Sequence, residues 1–261
     1  MGILNATPDS FYTKGRDNNV AGMLRTAEKM LNDGATILDI GGASTKPGQA
    51  LMDSSEERNR VIPVMEALSR EFPDAWLSVD TYNAKVAQEA VTAGAHIVND
   101  VSSGRFDPTM IATVAALGVP YIAMHMQGTP ADMQINPAYE NVTLEVISYL
   151  QNVCQQCAAA GIKDVIIDPG FGFGKTVAHN FELLTSLSDF SILGRPLLAG
   201  LSRKSMICKP LKVNPDEALN GTTALNMVAL QQGARILRVH DVKEAREVIT
   251  LWQYLNKNVL T

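Results

Sequence analysis

The sequence predicts an α/β protein of the TIM (β/α)₈-barrel class, one domain spanning residues 1–261, on three observations. Eight short aliphatic runs alternate with helical stretches along the whole chain. Glycine marks the joint from helix to next strand at Gly34, Gly94, Gly118, Gly161 and Gly233, where a left-handed residue commonly ends a helix. Each run also ends in a polar residue. A doubly wound open sheet shares the alternation, but a count of eight favours closure, and such barrels commonly run to about 250 residues.

The runs are read as strands at residues 2–5, 36–42, 77–81, 96–102, 121–126, 165–171, 196–202 and 236–242. They are nearly continuous apolar segments, as parallel strands covered on both faces should be. Helical periodicity covers 21–33, 54–71, 83–93, 139–160 and 215–232. Apolar residues make up 46% of the chain and charged residues 19%, enough for a sizeable core and too little charge for disorder. The formal net charge of −5 gives no reason to expect nucleic acid or an anionic membrane as partner. No apolar run nears the roughly 20 residues of a membrane span, and no signal segment is expected from the opening residues. Three cysteines cannot all pair, so a reducing cytoplasm is expected.

Asn5, Asp39, Asp80, Asn99, His125, Asp168, Ser202 and His240 sit at or just beyond the last apolar residues of successive strands. In a (β/α)₈ barrel those ends converge on one mouth, where active sites are built. Asp80, Asn99 and Asp168 form an acceptor-rich set suited to a flat heterocycle with N–H donors. The alternative is that each satisfies a neighbouring loop backbone, but three acceptors at adjacent depth favour a ligand. Ser202-Arg203-Lys204-Ser205 and Arg238-Val239-His240-Asp241 form a cationic set where this fold usually holds phosphate. Strand alternation points residues 238 and 240 the same way, so both can reach one phosphate, the alternative being a solvated basic loop.

Other motifs fail. Gly170-Phe171-Gly172-Phe173-Gly174-Lys175 resembles a nucleotide loop, but Pro169 stands where a Walker loop needs glycine. The segment reads instead as a close backbone approach, with Phe173 covering a ring. Cys154-x-x-Cys157 lies mid-helix and is assigned to packing. His96 and His179 are assigned structural roles, and His125 stays open between pocket and core.

The ordered set of motifs resembles the dihydropteroate synthases. Residues 2–11, GILNATPDSF, and 39–48, DIGGASTKPG, look like two signatures of that family. Ser78–Thr81, Asn99–Val101, Met124–Met126, Asp168–Lys175, Ser202–Ser205 and Arg238–Asp241 follow in family order. The resemblance implies condensation of 6-hydroxymethyl-7,8-dihydropterin diphosphate with 4-aminobenzoate, giving 7,8-dihydropteroate and pyrophosphate for folate synthesis. It also implies a pterin among Asp80, Asn99, Val101, Met124, Asp168, Phe173 and Lys204. The diphosphate would lie at Asn5, Arg238 and His240, with Mg²⁺ at Asn5. For 4-aminobenzoate it implies Phe11, Thr45, Lys46, Pro47, Ser202 and Lys204, and it makes Asp80, Lys204 and Asn5 the catalytic set. A homodimer and sensitivity to sulfonamides belong to the same expectation. Lys46 stands where the family usually has arginine, and Thr13 where it often has aspartate. A pterin-handling methyltransferase domain shares the acidic pocket, but it needs no diphosphate site such as Arg238 and His240. A non-catalytic pterin-binding barrel is the rival from another class.

Overall fold

The computed structural model describes residues 1–6, 16–43 and 48–256, with side chains from 20 onward after the first gap. Eight parallel strands alternate with helices: β1 (Gly2–Asn5), β2 (Ile37–Gly41), β3 (Trp76–Asp80), β4 (Ile97–Asp100), β5 (Tyr121–Met124), β6 (Val165–Asp168), β7 (Leu198–Ala199) and β8 (Ile236–Leu237). The helices are α1 (Arg16–Asn32), α2 (Ser54–Glu71), α3 (Ala84–Thr92), α4 (Met110–Leu117), α5 (Val142–Ala160), α6 (Val177–Thr185), α7 (Ser205–Leu211), α8 (Leu219–Gln231) and α9 (Val242–Asn256). Strands β1 to β6 pair in sequence order and β7 pairs with β8. Parallel bridges Ile167↔Leu197 and Gly2↔Val239 join the two sets, so the sheet closes on itself as a barrel. The closing bonds include Ile167 N–H to the Pro196 carbonyl at 3.0 Å and Ile3 N–H to the Val239 carbonyl at 2.9 Å.

The apolar faces explain the layers. Outward residues of the first strands, among them Leu38, Leu77 and Val98, pack against α1 to α5. A second cluster does the same for the later strands and helices. Inside the barrel, Ile97, Ile122 and Leu198 pack with Met1, Ile37, Ile166 and Ile236 into a floor. Successive strand residues alternate between faces, so the side chain two positions on stands one layer above it. That places Asp39, Asn99, Met124, Asp168, Gly200 and Arg238 over Ile37, Ile97, Ile122, Ile166, Leu198 and Ile236. The functional layer is the next rung above the plug.

All five joint glycines adopt positive φ, from +67° at Gly118 to +115° at Gly94. Helix α2 matches the expected span and is capped by Asp53, whose carboxylate accepts from Ser55 N–H at 2.8 Å, a cap worth about 1 kcal/mol. The expected helix over 215–232 divides into a 3₁₀ turn at Pro215–Glu217 and α8.

Most strands end earlier than the aliphatic runs suggest, because their terminal polar groups bond to their own loops. The Asp100 carboxylate accepts from Ser102 N–H, Ser102 Oγ, Gly104 N–H and the Tyr121 hydroxyl, each at 2.7–2.8 Å, and turns the chain out of β4. Val242, read as the end of the last strand, instead starts α9.

Candidate functional site

The acid floor and the cationic rim expected from sequence are not separate layers; they are ion-paired with each other. Arg238, at the exit of β8, donates from Nε to Asp39 Oδ2 and from Nη2 to Asp80 Oδ2, each at 2.6 Å. Asn99 donates from Nδ2 to the same Asp39 oxygen at 3.0 Å. This corrects the picture of Arg238 held ready for a phosphate alone: its guanidinium reaches across the barrel to acids supplied by β2 and β3. Asp39, which carried no assigned role, is the buried hub of the cluster. Its Oδ1 is buried without a hydrogen-bond partner among the described residues. Burial raises the Asp80 carboxyl to about 7, against the pull of Arg238 and with the push of Asp39.

The β6–β7 side brings a second acid and a second base to the mouth. Asp168 Oδ1 accepts from Gly170 N–H at 2.7 Å, which turns the chain sharply after β6. Lys204, just before α7, donates from Nζ to the Phe171 carbonyl and lies 4.7 Å from the centroid of the Phe173 ring. Burial lowers its ammonium to about 8, against the pull of Asp168. Gly200 marks the convergence: a Cβ built there would meet Lys204 Nζ at 3.7 Å, and Arg238 Cβ and Asp168 Oδ2 at 4.0 Å. A bare backbone keeps that space open between Lys204, Asp168 and Arg238.

Val101 and Met124 are buried in one apolar cluster with Tyr82, Met126 and Met133, and Phe173 packs against it. The three expected wall residues therefore share one surface.

At the rim, Ser202 Oγ lies 2.9 Å from His240 Nδ1 and accepts from His240 N–H at 3.2 Å. A hydroxyl can accept from the backbone N–H and donate its hydrogen to Nδ1, and in that tautomer His240 Nε2 carries the N–H that an anion would meet. Of the two basic residues in the β7–α7 loop, only Lys204 turns toward the acids. Arg203, in a left-handed conformation at φ +58°, is bound by Asp241 through Nε at 3.0 Å and Nη2 at 2.6 Å.

Asn5 ends β1 with an exposed carboxamide, beside β2 and next to the β8 exit. Phe11, Thr45, Lys46 and Pro47, as well as Thr13, lie outside the described residues. Among the described residues no group of three His, Cys, Asp and Glu side chains is placed to hold a metal. The assignments of His96 and His179 match their contacts: His96 Nδ1 accepts from Leu77 N–H at 3.2 Å, and His179 completes a capping box with Thr176 at α6. Cys157 is buried in α5, and burial pushes its thiol up to about 12.

Sequence reasoning missed Lys175. Its ammonium is buried beside His125 Nδ1 at 2.9 Å. A cavity of about 550 Å³ opens beside β5, against Arg105, Tyr139, Glu145 and Tyr149, and takes His125 but none of the paired acids and cations as lining.

Comparison with known proteins decides the family. A family model described as pterin binding enzyme matches residues 1–240. The chain is 46% identical over 255 residues to the dihydropteroate synthase of Haemophilus influenzae, covering 97% of this chain and 92% of that one. The chain belongs to the dihydropteroate synthase family. A crystal structure of Yersinia pestis dihydropteroate synthase with a sulfonamide drug complex superposes with a TM-score of 0.93 at 46% identity, over 98% of this chain and 94% of that one. Xanthomonas albilineans dihydropteroate synthase with 4-aminobenzoic acid gives 0.92 at 41% identity, over 98% and 92%. As a dihydropteroate synthase the chain is a transferase, and the fold expected from sequence is the fold of its relatives.

Proposed function

We propose that the strand-end layer divides the synthase reaction between the Arg238–Asp39–Asp80 cluster and the Asp168 and Lys204 side of the mouth. The pterin ring of 6-hydroxymethyl-7,8-dihydropterin diphosphate lies among Asp80, Asn99 and Asp168, with Val101, Met124 and Phe173 as walls. Ring N–H groups donate to the carboxylates and to the Asn99 carbonyl oxygen, which its bond to Asp39 leaves as an acceptor. The diphosphate lies at Asn5, Arg238 and His240. Arg238 spends Nε and Nη2 on Asp39 and Asp80, so Nη1 remains for the anion, together with His240 Nε2–H. The observation that carries this reading is the single Arg238 bridge between Asp39 and Asp80.

The chemistry follows from the charges. The methylene C–O bond breaks with its electron pair leaving on the diphosphate oxygen, and a resonance-stabilised pterin-methyl cation develops. Asp80 stabilises the positive charge on the ring, while Arg238 and His240 stabilise the leaving group. The amine of 4-aminobenzoate closes the new C–N bond with its own lone pair and releases a proton to solvent or to the departing diphosphate. No protein nucleophile is needed. Lys204 orients the pterin and, with Ser202, the aminobenzoate. Phe11, Thr45, Lys46 and Pro47 complete that subsite in this reading, and the 4-aminobenzoic acid and sulfonamide bound by the relatives support such a subsite here.

Mg²⁺ binds oxygen donors, keeps several waters, and commonly joins substrate phosphates to one or two protein groups. The exposed Asn5 carboxamide fits that role as one neutral oxygen beside the diphosphate subsite. When bound, the ion would neutralise charge on the leaving diphosphate. No helix among the described residues is long and apolar enough to cross a membrane. A cytoplasmic homodimer is the proposed working form, by family likeness.

The test is pyrophosphate release. It should require both the pterin diphosphate and 4-aminobenzoate. Release from the pterin ester without the amine, or methyl transfer from a folate, would turn the assignment toward the rival readings.

A further inference from the structure

We propose that Lys175 is a positioning residue for the pterin wall, a fastener that pins the β6–α6 loop to the exit of β5 through His125. The inference rests on the reading that this mouth takes a pterin.

Lys175 as a whole is only 2% exposed. Its ammonium lies 2.9 Å from His125 Nδ1, 3.0 Å from the Gly170 carbonyl, 3.1 Å from the Phe173 carbonyl and 3.5 Å from the His125 carbonyl. An ammonium has three donors, and here all its near neighbours are neutral acceptors. Among the described residues it forms no ion pair, although burying a charge without one is costly. A hydrocarbon chain would fill that space at lower cost, so the amine is kept for the groups it ties together.

It ties the loop at both ends. Gly170 sits at φ +70° with its missing Cβ 1.9 Å from the His125 carbonyl oxygen, and Gly174 sits at φ +64° with its own 2.4 Å from the Gln127 carbonyl oxygen. The loop is therefore pressed onto the segment leaving β5 closely enough that only glycine fits, and Lys175 bonds across that contact. Between the two glycines lie the parts that face the pocket: the Phe171 carbonyl, which accepts from Lys204, and Phe173, whose ring lies 4.7 Å from Lys204 Nζ. With Lys175 donating, His125 Nδ1 is the acceptor and its ring is neutral. Burial and the Lys175 charge both hold the imidazole in that form.

The experiment compares Lys175→Met, His125→Leu, His125→Asn and the double variant Lys175→Met/His125→Leu. It reads melting temperature, the dissociation constant of pterin-6-carboxylate, and kcat and KM for the pterin diphosphate. Lys175→Met should stay folded and bind pterin-6-carboxylate about 10-fold more weakly, with KM for the pterin diphosphate rising in step and kcat falling less. His125→Leu should match it, and His125→Asn, which keeps an acceptor oxygen, should restore most of the affinity. The double variant should lose no more than either single one, since both break one link. Pterin affinity within about twofold of wild type in Lys175→Met, or equal loss in His125→Leu and His125→Asn, overturns the inference. So does a change confined to melting temperature. If Lys175→Met does not fold, the Leu and Asn variants decide alone. Wild-type protein that does not bind pterin-6-carboxylate overturns the pocket reading and this inference together. A wild type that binds beside an unchanged Lys175→Met overturns this inference alone.

Discussion

Lys175 and Lys204 approach the mouth from neighbouring loops, after β6 and before α7, and burial lowers the basicity of both. Their surroundings differ. Asp168 draws on the charge of both, but Lys204 is half-buried and lies against the Phe173 ring. Lys175 is sealed in and meets carbonyls and an imidazole. A cation that faces a carboxylate across open space can exchange partners when a ligand arrives. A cation enclosed by backbone oxygens cannot, and it sets geometry instead. The same residue type thus serves chemistry in one loop and architecture in the next, according to what its ammonium touches.

That contrast can be broken at several points, beginning where the largest effect is expected. Asp80→Asn removes the carboxylate from the developing positive charge and should lower kcat about 10²–10³-fold while the protein stays folded. Near-normal turnover in a steady-state assay would remove Asp80 from the mechanism. Gly170→Ala forces a Cβ into the His125 carbonyl at positive φ, and should cost about 3 kcal/mol or more in denaturant unfolding. An unchanged midpoint would mean that the loop is not clamped to β5. Lys204→Met should weaken turnover about 10–100-fold, the worth of a charge-assisted contact, with little change in melting temperature. A stability loss without that kinetic loss would make Lys204 another fastener.

The smallest effect is in pH. Ionised Asp80 is required in this reading, and its carboxyl stands at about 7, so kcat/KM should rise about tenfold per pH unit below that value. Protonated Lys204 is required too, and its ammonium stands at about 8, so kcat/KM should fall again above it. Asp80→Asn should flatten the acid limb and Lys204→Met the alkaline one. A profile level from pH 5 to 9 would contradict both roles.

Much of this was legible beforehand because strand alternation has a fixed period. Once Ile37, Ile97, Ile122, Ile166 and Ile236 are placed in strands, the residues two positions on are bound to line one layer. Asp39, Asn99, Asp168 and Arg238 follow without any structure. The joint glycines were legible for a similar local reason. Lys175 was not, because nothing in Gly174-Lys175-Thr176 says whether a lysine turns inward. The direction of Arg203, toward Asp241 and away from the acids, was hidden in the same way.

The sequence alone determined the barrel class, the strand order and the set of polar groups brought to the mouth, since these depend on hydrophobic period and chain order. Tertiary structure decided which charges meet. Arg238 stands 199 residues from Asp39 and 158 from Asp80 along the chain, yet bonds to both. Pairing at that separation is fixed by barrel closure, which sets β8 beside β1 and across from β2 and β3. No local pattern encodes a contact that exists only once the sheet has closed.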